Sequence, residues 1–382
     1  MDEKEYLQTL GEQIVNPHAR ASILAEIQDH IEEQAQDYRA SGMSEAVAMQ
    51  EAVRQMGDPV STGEALNQVH RPKFPIALFG LAVVLTVLGI AMQYLVYTHL
   101  TPDTAILSDT YLQRTILYNA IGLGLLLLCI FGNYMYLAKG AWILLAIFLL
   151  GLLPPWFFGF YGRQYTLCYY LALVYPLVYA LLLYRLRDKG AKAIWFLHGL
   201  TLLFLVRMLF GTIITWSTVL AAGCLTLLLL CLAIHRGILT GSSKRTLWLL
   251  TVLPYVAAAA CFVILFFQNS YMRDRLTEFL KGSNYVQQML ALEQQQMLAF
   301  GGGTISSYVD TESLASTYVL HSIFLWFGIV SGILVIVALA VLVLRSLHYA
   351  LHQSNRLALL AGTAASGILL FELLHFVLTN LG

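Results

Sequence analysis

The sequence predicts an all-α fold, a polytopic transmembrane helical bundle preceded by a small N-terminal helical domain. Hydrophobic residues make up 58% of the 382 residues and charged residues only 12%, whereas soluble domains carry about 25% charged residues. The apolar residues cluster into segments of about 20 residues, which is the length that a helix needs to cross a bilayer. A multi-pass membrane protein is therefore the expected class.

Nine segments are long and apolar enough to be transmembrane spans. They cover residues 75–97, 114–136, 141–160, 165–184, 193–210, 212–234, 247–267, 317–344 and 357–380. Lys and Arg residues follow the fourth, sixth and eighth segments, whereas the 98–113 loop contains neither. Because cationic loops tend to stay on the cytoplasmic side, this distribution predicts a cell-membrane protein with a cytoplasmic N-terminus.

Residues 1–72 are expected to form the cytoplasmic helical domain, and residues 73–382 the transmembrane domain. Residues 1–70 hold 13 of the 22 acidic residues but only 4 of the 22 Lys and Arg residues. No basic, apolar leader opens the sequence, so we expect this acidic part to remain in the cytoplasm. Its longest predicted helix, over residues 18–39, has an apolar face at helical spacing that consists of Ile23, Ile27, Ile31 and Ala35.

A long loop at residues 268–316 separates the seventh and eighth segments and is expected to be external. Loops of this length are usually functional. Two stretches in it, Tyr271–Lys281 and Tyr285–Phe300, are amphipathic, which is typical of helices that lie on a membrane surface. The three glycines at 301–303 end the second stretch.

This loop carries the chain's main family resemblance. It opens with Arg273-Asp274-Arg275, and a Gln-rich stretch from Gln295 runs into the three glycines. An external loop of this kind between spans seven and eight resembles that of the SEDS family, the FtsW/RodA/SpoVE proteins of bacterial wall synthesis. The resemblance covers about residues 75–382 and follows topology more than identity.

The resemblance implies a role in peptidoglycan assembly during division, elongation or sporulation, with a lipid-linked precursor as ligand. The catalytic Asp of the family falls at Thr317, which cannot act as a general base near neutral pH. Asp310 and Glu312 lie a few residues upstream and are the candidates for a displaced carboxylate. The candidates for binding the precursor are Arg273, Arg275, Gln295 and Glu372, the last of which stands where the family has Gln.

Several family features have no counterpart in the sequence, including the closing Pro-rich element and the tenth span. We therefore expect a divergent, weakly or non-catalytic member that binds the precursor, a penicillin-binding-protein-type synthase or another divisome or elongasome protein. One alternative is an active peptidoglycan glycosyltransferase that uses a displaced carboxylate, and another is an unrelated membrane transporter. The long loop argues against a transporter, since transporters usually show paired broken helices at the bilayer midplane.

The N-terminal part carries a second resemblance. The motifs Glu26-Ile27-Gln28-Asp29-His30 and Met56-Gly57-Asp58-Pro59 resemble a HAAS-type module found before membrane regions in Gram-positive proteins. We interpret this part as a docking module for a protein partner.

Other clusters of functional residue types in the sequence favour simpler interpretations. Glu26, His30 and Glu33 share one helical face but lack a fourth ligand, so no metal or other cofactor is expected. All five cysteines fall inside apolar segments, where small buried thiols without a disulfide are expected. The basic loops fit membrane topology and membrane lipids as partners, not nucleic acid.

Ionisable residues inside a membrane are costly and point to function by default. Glu372 and His375 lie three residues apart on one face of the last apolar segment. A protonated Glu372 that bonds to His375, or that faces a neighbouring helix, is the simpler interpretation.

Overall fold

The computed structural model is entirely helical, with no strand among the residues that it describes. Those residues are 2–14, 17–70, 75–100, 109–132, 135–153, 164–209, 216–270, 273–274, 277–278, 281, 285–302 and 317–381. The chain divides into two compact units, Met1–Ile76 and Ala77–Gly382.

The first unit contains four helices around a small apolar core. They are α1 (Glu3–Gln13), α2 (Pro17–Ala40), α3 (Glu45–Gln55) and α4 (Pro59–His70). The predicted apolar face of α2 is confirmed, because Ile23, Ile31 and Ala35 are buried and Ile27 packs against the same core.

Local sequence signals account for the helix ends in this unit. The Asp2 side chain accepts a hydrogen bond from the Glu5 amide at 2.7 Å, which caps the start of α1. After α2 and α3 the chain passes through Gly42 and Gly57 at positive φ, a conformation that glycine adopts at little cost.

Tyr6 links the start of this unit to the end of α3. Its ring is buried in the core, and its hydroxyl donates to the Met56 carbonyl at 3.1 Å. Burial raises the pKa of the Tyr6 phenol, a hydrogen bond with Thr62 opposes this shift, and the Asp58 carboxylate adds to it. The neutral phenol is thus the form that the folded unit favours.

The second unit is a bundle of apolar helices. They are α5 (Ile76–Leu100), α6 (Asp109–Phe131), α7 (Met135–Lys139), α8 (Ala141–Gly151), α9 (Gln164–Arg185), α10 (Ala191–Leu209), α11 (Trp216–His235), α12 (Lys244–Gln268), α13 (Tyr285–Gln294), α14 (Val319–Phe327), α15 (Ile329–Leu351) and α16 (Arg356–Leu381). A 3₁₀ turn, Arg187–Lys189, joins α9 to α10.

Seven helices among the described residues are long and apolar enough to cross a membrane. They are the helical stretches Ile76–Leu95, Leu112–Phe131, Ala191–Met208, Ser217–His235, Lys244–Gln268, Ile329–Leu351 and Arg356–Leu381. The predicted segments at 141–160 and 165–184 correspond to shorter apolar helices, Ala141–Gly151 and Tyr169–Arg185. The chain is a multi-pass membrane protein by this criterion.

The prediction of one continuous span over 317–344 is wrong. The structure divides this segment into α14 and α15 at Gly328, whose φ is +89°. Positive φ is incompatible with a continuing right-handed helix, so the apolar run turns instead of crossing in one piece.

Helix α9 is the centre of the bundle and packs against α8, α11 and α16. Its inward side is aromatic, with Tyr175 stacked on Phe204 of α10 at a centroid distance of 4.4 Å. The hydroxyls of Tyr175 and Thr201 share a hydrogen bond of 2.6 Å, and those of Thr226 and Tyr255 share one of 2.9 Å. Such bonds join helices where water is excluded.

The cysteines do not behave as the sequence suggested. Cys129, Cys224 and Cys261 are exposed on apolar helices and Cys231 is half-buried, and all four are free thiols. The expectation that the cysteines are buried is therefore wrong for Cys129, Cys224 and Cys261.

The raised pKa of Tyr6 makes a testable prediction about alkaline stability. The folded unit favours the neutral Tyr6 phenol. The contribution of this phenol to the stability of the unit is therefore fully present below about pH 10, and it is lost as the pH rises through the folded-state pKa. Tyr6→Phe should cost about 1 kcal/mol at neutral pH but should reduce the loss of stability at alkaline pH. Pulse proteolysis of the full chain, read as cleavage within residues 3–70, measures both effects. Tyr38→Phe is the matched control, and an unchanged alkaline profile in Tyr6→Phe would contradict the prediction.

Candidate functional site

The most elaborate polar arrangement in the second unit lies where the long loop meets the helices that flank it. We call this assembly the loop platform. It consists of α13, residues 295–302, α14, the first turn of α15 and the last turn of α16.

The chain after α13 caps the start of α15. The amides of Ile329 and Val330 donate to the carbonyls of Leu298 and Ala299 at 2.9 and 3.3 Å. The first amides of a helix have no partner within the helix, so the loop backbone satisfies donors that would otherwise need water. This pairing fixes residues 298–299 beside the start of a membrane helix.

Gly328 permits this close approach. A Cβ atom at this position would lie 2.7 Å from the Ala299 carbonyl oxygen and 2.8 Å from the Phe300 Cα atom. At Gly332, one turn into α15, a Cβ atom would strike the ring of Phe324. The absence of side chains at these two glycines therefore allows α14 to fold back against α15.

A buried ionisable pair joins α13 to α14. The Nε2 atom of His321 lies 2.8 Å from Oε2 of Glu293, and both side chains are fully buried. Among the described residues, neither Glu293 Oε1 nor His321 Nδ1 has a hydrogen-bond partner. The pair can share one proton, either as a carboxylate with an imidazolium or as two neutral groups.

Asn380 ties the end of α16 to the same place. Its Oδ1 atom accepts from the His321 amide at 3.0 Å, and its Nδ2 atom donates to the carbonyls of Thr317 and Phe376 at 3.0 and 2.8 Å. Gln294 adds a bond from its side-chain amide to the Leu381 carbonyl at 2.9 Å. The end of α16 is thus bonded to both α13 and α14.

Apolar packing surrounds these polar bonds. Four buried residues, Met92, Leu320, Ile323 and Phe324, form a separate core. The side chains that pack against this core include Leu95, Met297, Val335, Ile336, Phe376 and Val377. The Glu293–His321 pair therefore lies in a water-poor environment, where it cannot contact a dissolved substrate in this conformation.

The platform brings the candidate Gln295 into one region with Thr317, the residue at the family's Asp position. Thr317 is exposed one turn before His321, and Gln295 is exposed two residues after Glu293, so the buried pair holds their two segments together. Arg273 is exposed, and nothing among the described contacts joins it to the platform. The candidates Arg275, Asp310 and Glu312 lie outside the described residues.

Glu372 lies deeper in the bundle, eight residues before Asn380 and thus about 12 Å along the axis of α16. Its two carboxylate oxygens lie 2.9 and 2.7 Å from the Tyr169 hydroxyl, which donates from α9. His375 stacks on Phe371 with a centroid distance of 5.8 Å. Of the two simple interpretations of Glu372, the bond to His375 is wrong, and the contact with a neighbouring helix is confirmed.

The sequence analysis missed the residues at the centre of the platform. Glu293 is the sole charged residue in the stretch 285–302, and the stretch 317–327 contains His321 but no Asp, Glu, Lys or Arg. The rule that flagged Glu372 applies equally to an isolated histidine in an apolar segment. Pairing of these two residues, 28 positions apart, has no periodic signal.

Glu26, His30 and Glu33, which share one face of α2 in the first unit, are all exposed. His30 Nδ1 lies 3.5 Å from Glu33 Oε2, and both side chains are largely exposed. Within the described part of the chain, no group of three potential ligands could hold a metal ion.

The contacts of Asn380 predict a strong local effect of its truncation. Asn380→Ala would leave the His321 amide and the Thr317 carbonyl without this partner, at a cost of about 1–3 kcal/mol for the buried amide. We expect faster hydrogen exchange across α14, with the bundle otherwise intact. Leu378→Ala, on the exposed side of the same helix, is the control. Unchanged exchange of α14 in Asn380→Ala would show that these bonds do not hold the platform.

Comparison with known proteins identifies one part of the chain. No curated protein and no solved structure matches the sequence significantly. The resemblance of residues 75–382 to the SEDS family finds no support in these comparisons and stays a prediction. The HAAS family model matches residues 5–61, which include α2 and α3, so the resemblance of this part of the chain to HAAS modules is confirmed.

Proposed function

We propose that this protein is a divergent SEDS-like membrane protein of peptidoglycan assembly. In this proposal it binds a lipid-linked precursor or a synthase partner and has little or no polymerase activity of its own. Its nine spans include the two shorter apolar helices, α8 and α9, its N-terminus is cytoplasmic, and its loop platform lies on the outer face.

The loop platform is the observation that carries this proposal. The loop backbone caps α15, and Asn380 bonds the end of α16 to α14. A loop built into the ends of membrane helices presents its exposed residues at a constant depth near the membrane surface. A lipid-linked ligand, whose sugar and lipid parts meet at that surface, suits such a position.

The absence of a carboxylate at Thr317 favours a binding role over catalysis. General base catalysis typically contributes about 10²- to 10⁴-fold to a rate. The Thr317 side chain is exposed, but a hydroxyl cannot replace a carboxylate as the proton acceptor near neutral pH. The active-enzyme alternative therefore depends on Asp310 or Glu312.

The HAAS module has a different role in this proposal. Its acidic composition and its position before the first span suit a cytoplasmic docking module that recruits a regulatory or wall-synthesis partner. The core of α1–α4 is small, and units of about 70 residues are marginal in stability. A partner that packs on this unit would add to that stability.

Membrane topology is the first test of the proposal. A membrane-impermeant thiol reagent applied to intact cells should label Leu292→Cys, which is 44% exposed on α13. It should not label Asp188→Cys in the cationic turn after α9, although that side chain is 70% exposed. Labelling of Asp188→Cys but not Leu292→Cys would overturn both the topology and the SEDS-like interpretation.

Precursor binding and polymerisation form the second test. The purified protein in nanodiscs should bind the lipid-linked precursor, detected by native mass spectrometry, and should form little or no glycan when a penicillin-binding partner is added. Asn380→Ala should weaken binding, whereas the Leu378→Ala control should not. A failure to bind precursor, together with no cross-link to a synthase in cells, would contradict the proposal. Robust polymer that disappears in Asp310→Ala or Glu312→Ala would establish the active-enzyme alternative instead.

A further inference from the structure

The Glu293–His321 pair has a property that the proposed function does not use. One group is a carboxylic acid, which is neutral or negative, and the other is an imidazole, which is neutral or positive. Both are fully buried, with one hydrogen bond of 2.8 Å between them. The remaining polar atom of each group, Oε1 or Nδ1, has no hydrogen-bond partner among the described residues. Within the described part of the chain, no further hydrogen bond at these atoms therefore compensates a change in the charge of either group.

We propose that this pair is a proton-binding site that makes the docking of α13 onto α14 depend on pH. With one shared proton the pair is neutral overall, and the buried hydrogen bond is satisfied. A second proton leaves an imidazolium beside a neutral carboxyl group, and loss of the shared proton leaves a carboxylate beside a neutral imidazole. Each of these states places an uncompensated charge in a buried site, which is strongly unfavourable.

Undocking relieves that cost, because it returns both groups to water. The docked platform is thus favoured in an intermediate pH range and destabilised on both sides of it. Since α13 carries Gln295 on its C-terminal flank and α14 follows Thr317, undocking separates the exposed segments that the pair holds together. The inference rests on the platform geometry alone and is independent of any role in wall assembly.

The other ionisable groups on the described elements around the pair are few. Within the described residues, Glu293 shares the stretch 285–302 with the phenol of Tyr285 alone, and His321 of α14 follows the phenol of Tyr318 by three residues. Phenols ordinarily ionise near pH 10, above carboxylates and imidazoles. Helix α5 contributes Met92 and Leu95 to the surrounding core, and α15 contributes Val335 and Ile336. Helix α16 presents Asn380, which does not titrate, while its Glu372 bonds to Tyr169 and its His375 stacks on Phe371.

Two positions on α13 can report docking in the full-length protein in nanodiscs. Leu290 is 1% exposed and Leu292 is 44% exposed. We would compare the labelling rates of Leu290→Cys and Leu292→Cys with a water-soluble maleimide from about pH 4 to about pH 9, which brackets the usual titration of carboxylates and imidazoles. We divide the rate of Leu290→Cys by the rate of Leu292→Cys, and this ratio cancels the common dependence of thiol reactivity on pH. Labelling of the native cysteines, measured in the unsubstituted chain, is subtracted.

The ratio should be lowest at intermediate pH and should rise about tenfold towards both ends, a change equivalent to about 1.4 kcal/mol in docking. Glu293→Gln should keep only the rise at acidic pH, because an unpaired imidazolium still forms there. His321→Gln should keep only the rise at alkaline pH, because an unpaired carboxylate still forms there. The double variant, whose two amides can bond without a charge, should give a flat profile.

Two controls make the test decisive. Glu372→Gln and His375→Gln remove titratable groups from α16 and should leave both rises unchanged. Met289→Cys, at a half-buried position of the same helix, repeats the measurement in case Leu290→Cys itself disturbs packing. A flat profile in the otherwise unsubstituted protein, with either reporter, would overturn the proposal. The same profile in the double variant as in the otherwise unsubstituted protein would also overturn it.

Discussion

The architecture of the second unit depends on one constraint: polar backbone groups at helix ends must find partners where the surroundings are apolar. The long loop meets this constraint in the structure. Its carbonyls at Leu298 and Ala299 receive the first amides of α15, and Asn380 binds both the His321 amide and the Thr317 carbonyl. The part of the loop that the structure describes continuously, residues 285–302, is consequently a structural part of the bundle, and the proposed ligand surface is built on it.

Pairing explains why two ionisable groups are tolerated at the centre of this assembly. Glu293 and His321 lie 2.8 Å apart and are neutral overall when they share one proton, so their burial costs less than that of either charged group alone. Breaking such a pair by removing one partner is much more costly than replacing both. Replacing both groups by amides and replacing each singly therefore have different expected effects on α13 docking.

The two units differ in what stabilises them. The first is a small four-helix unit whose core depends on few residues, among them Tyr6, Ile31 and Ala52. The second contains long apolar helices with many large side chains on its surface, as expected where the surroundings are lipid. A protein partner can add appreciably to the stability of the first unit, whereas bilayer and interhelical packing dominate in the second.

Composition and periodicity determined the class of this protein, seven of its apolar spans, and the buried face of α2. These features follow from local sequence because burial in lipid or in a small core selects residues at fixed spacing. Tertiary structure alone decided the break at Gly328, where the backbone of Ala299 and Phe300 packs too closely for any side chain. It also decided the pairing of Glu293 with His321 and of Glu372 with Tyr169. Such contacts join residues far apart in the chain, and their formation depends on how helices pack, which no local pattern records.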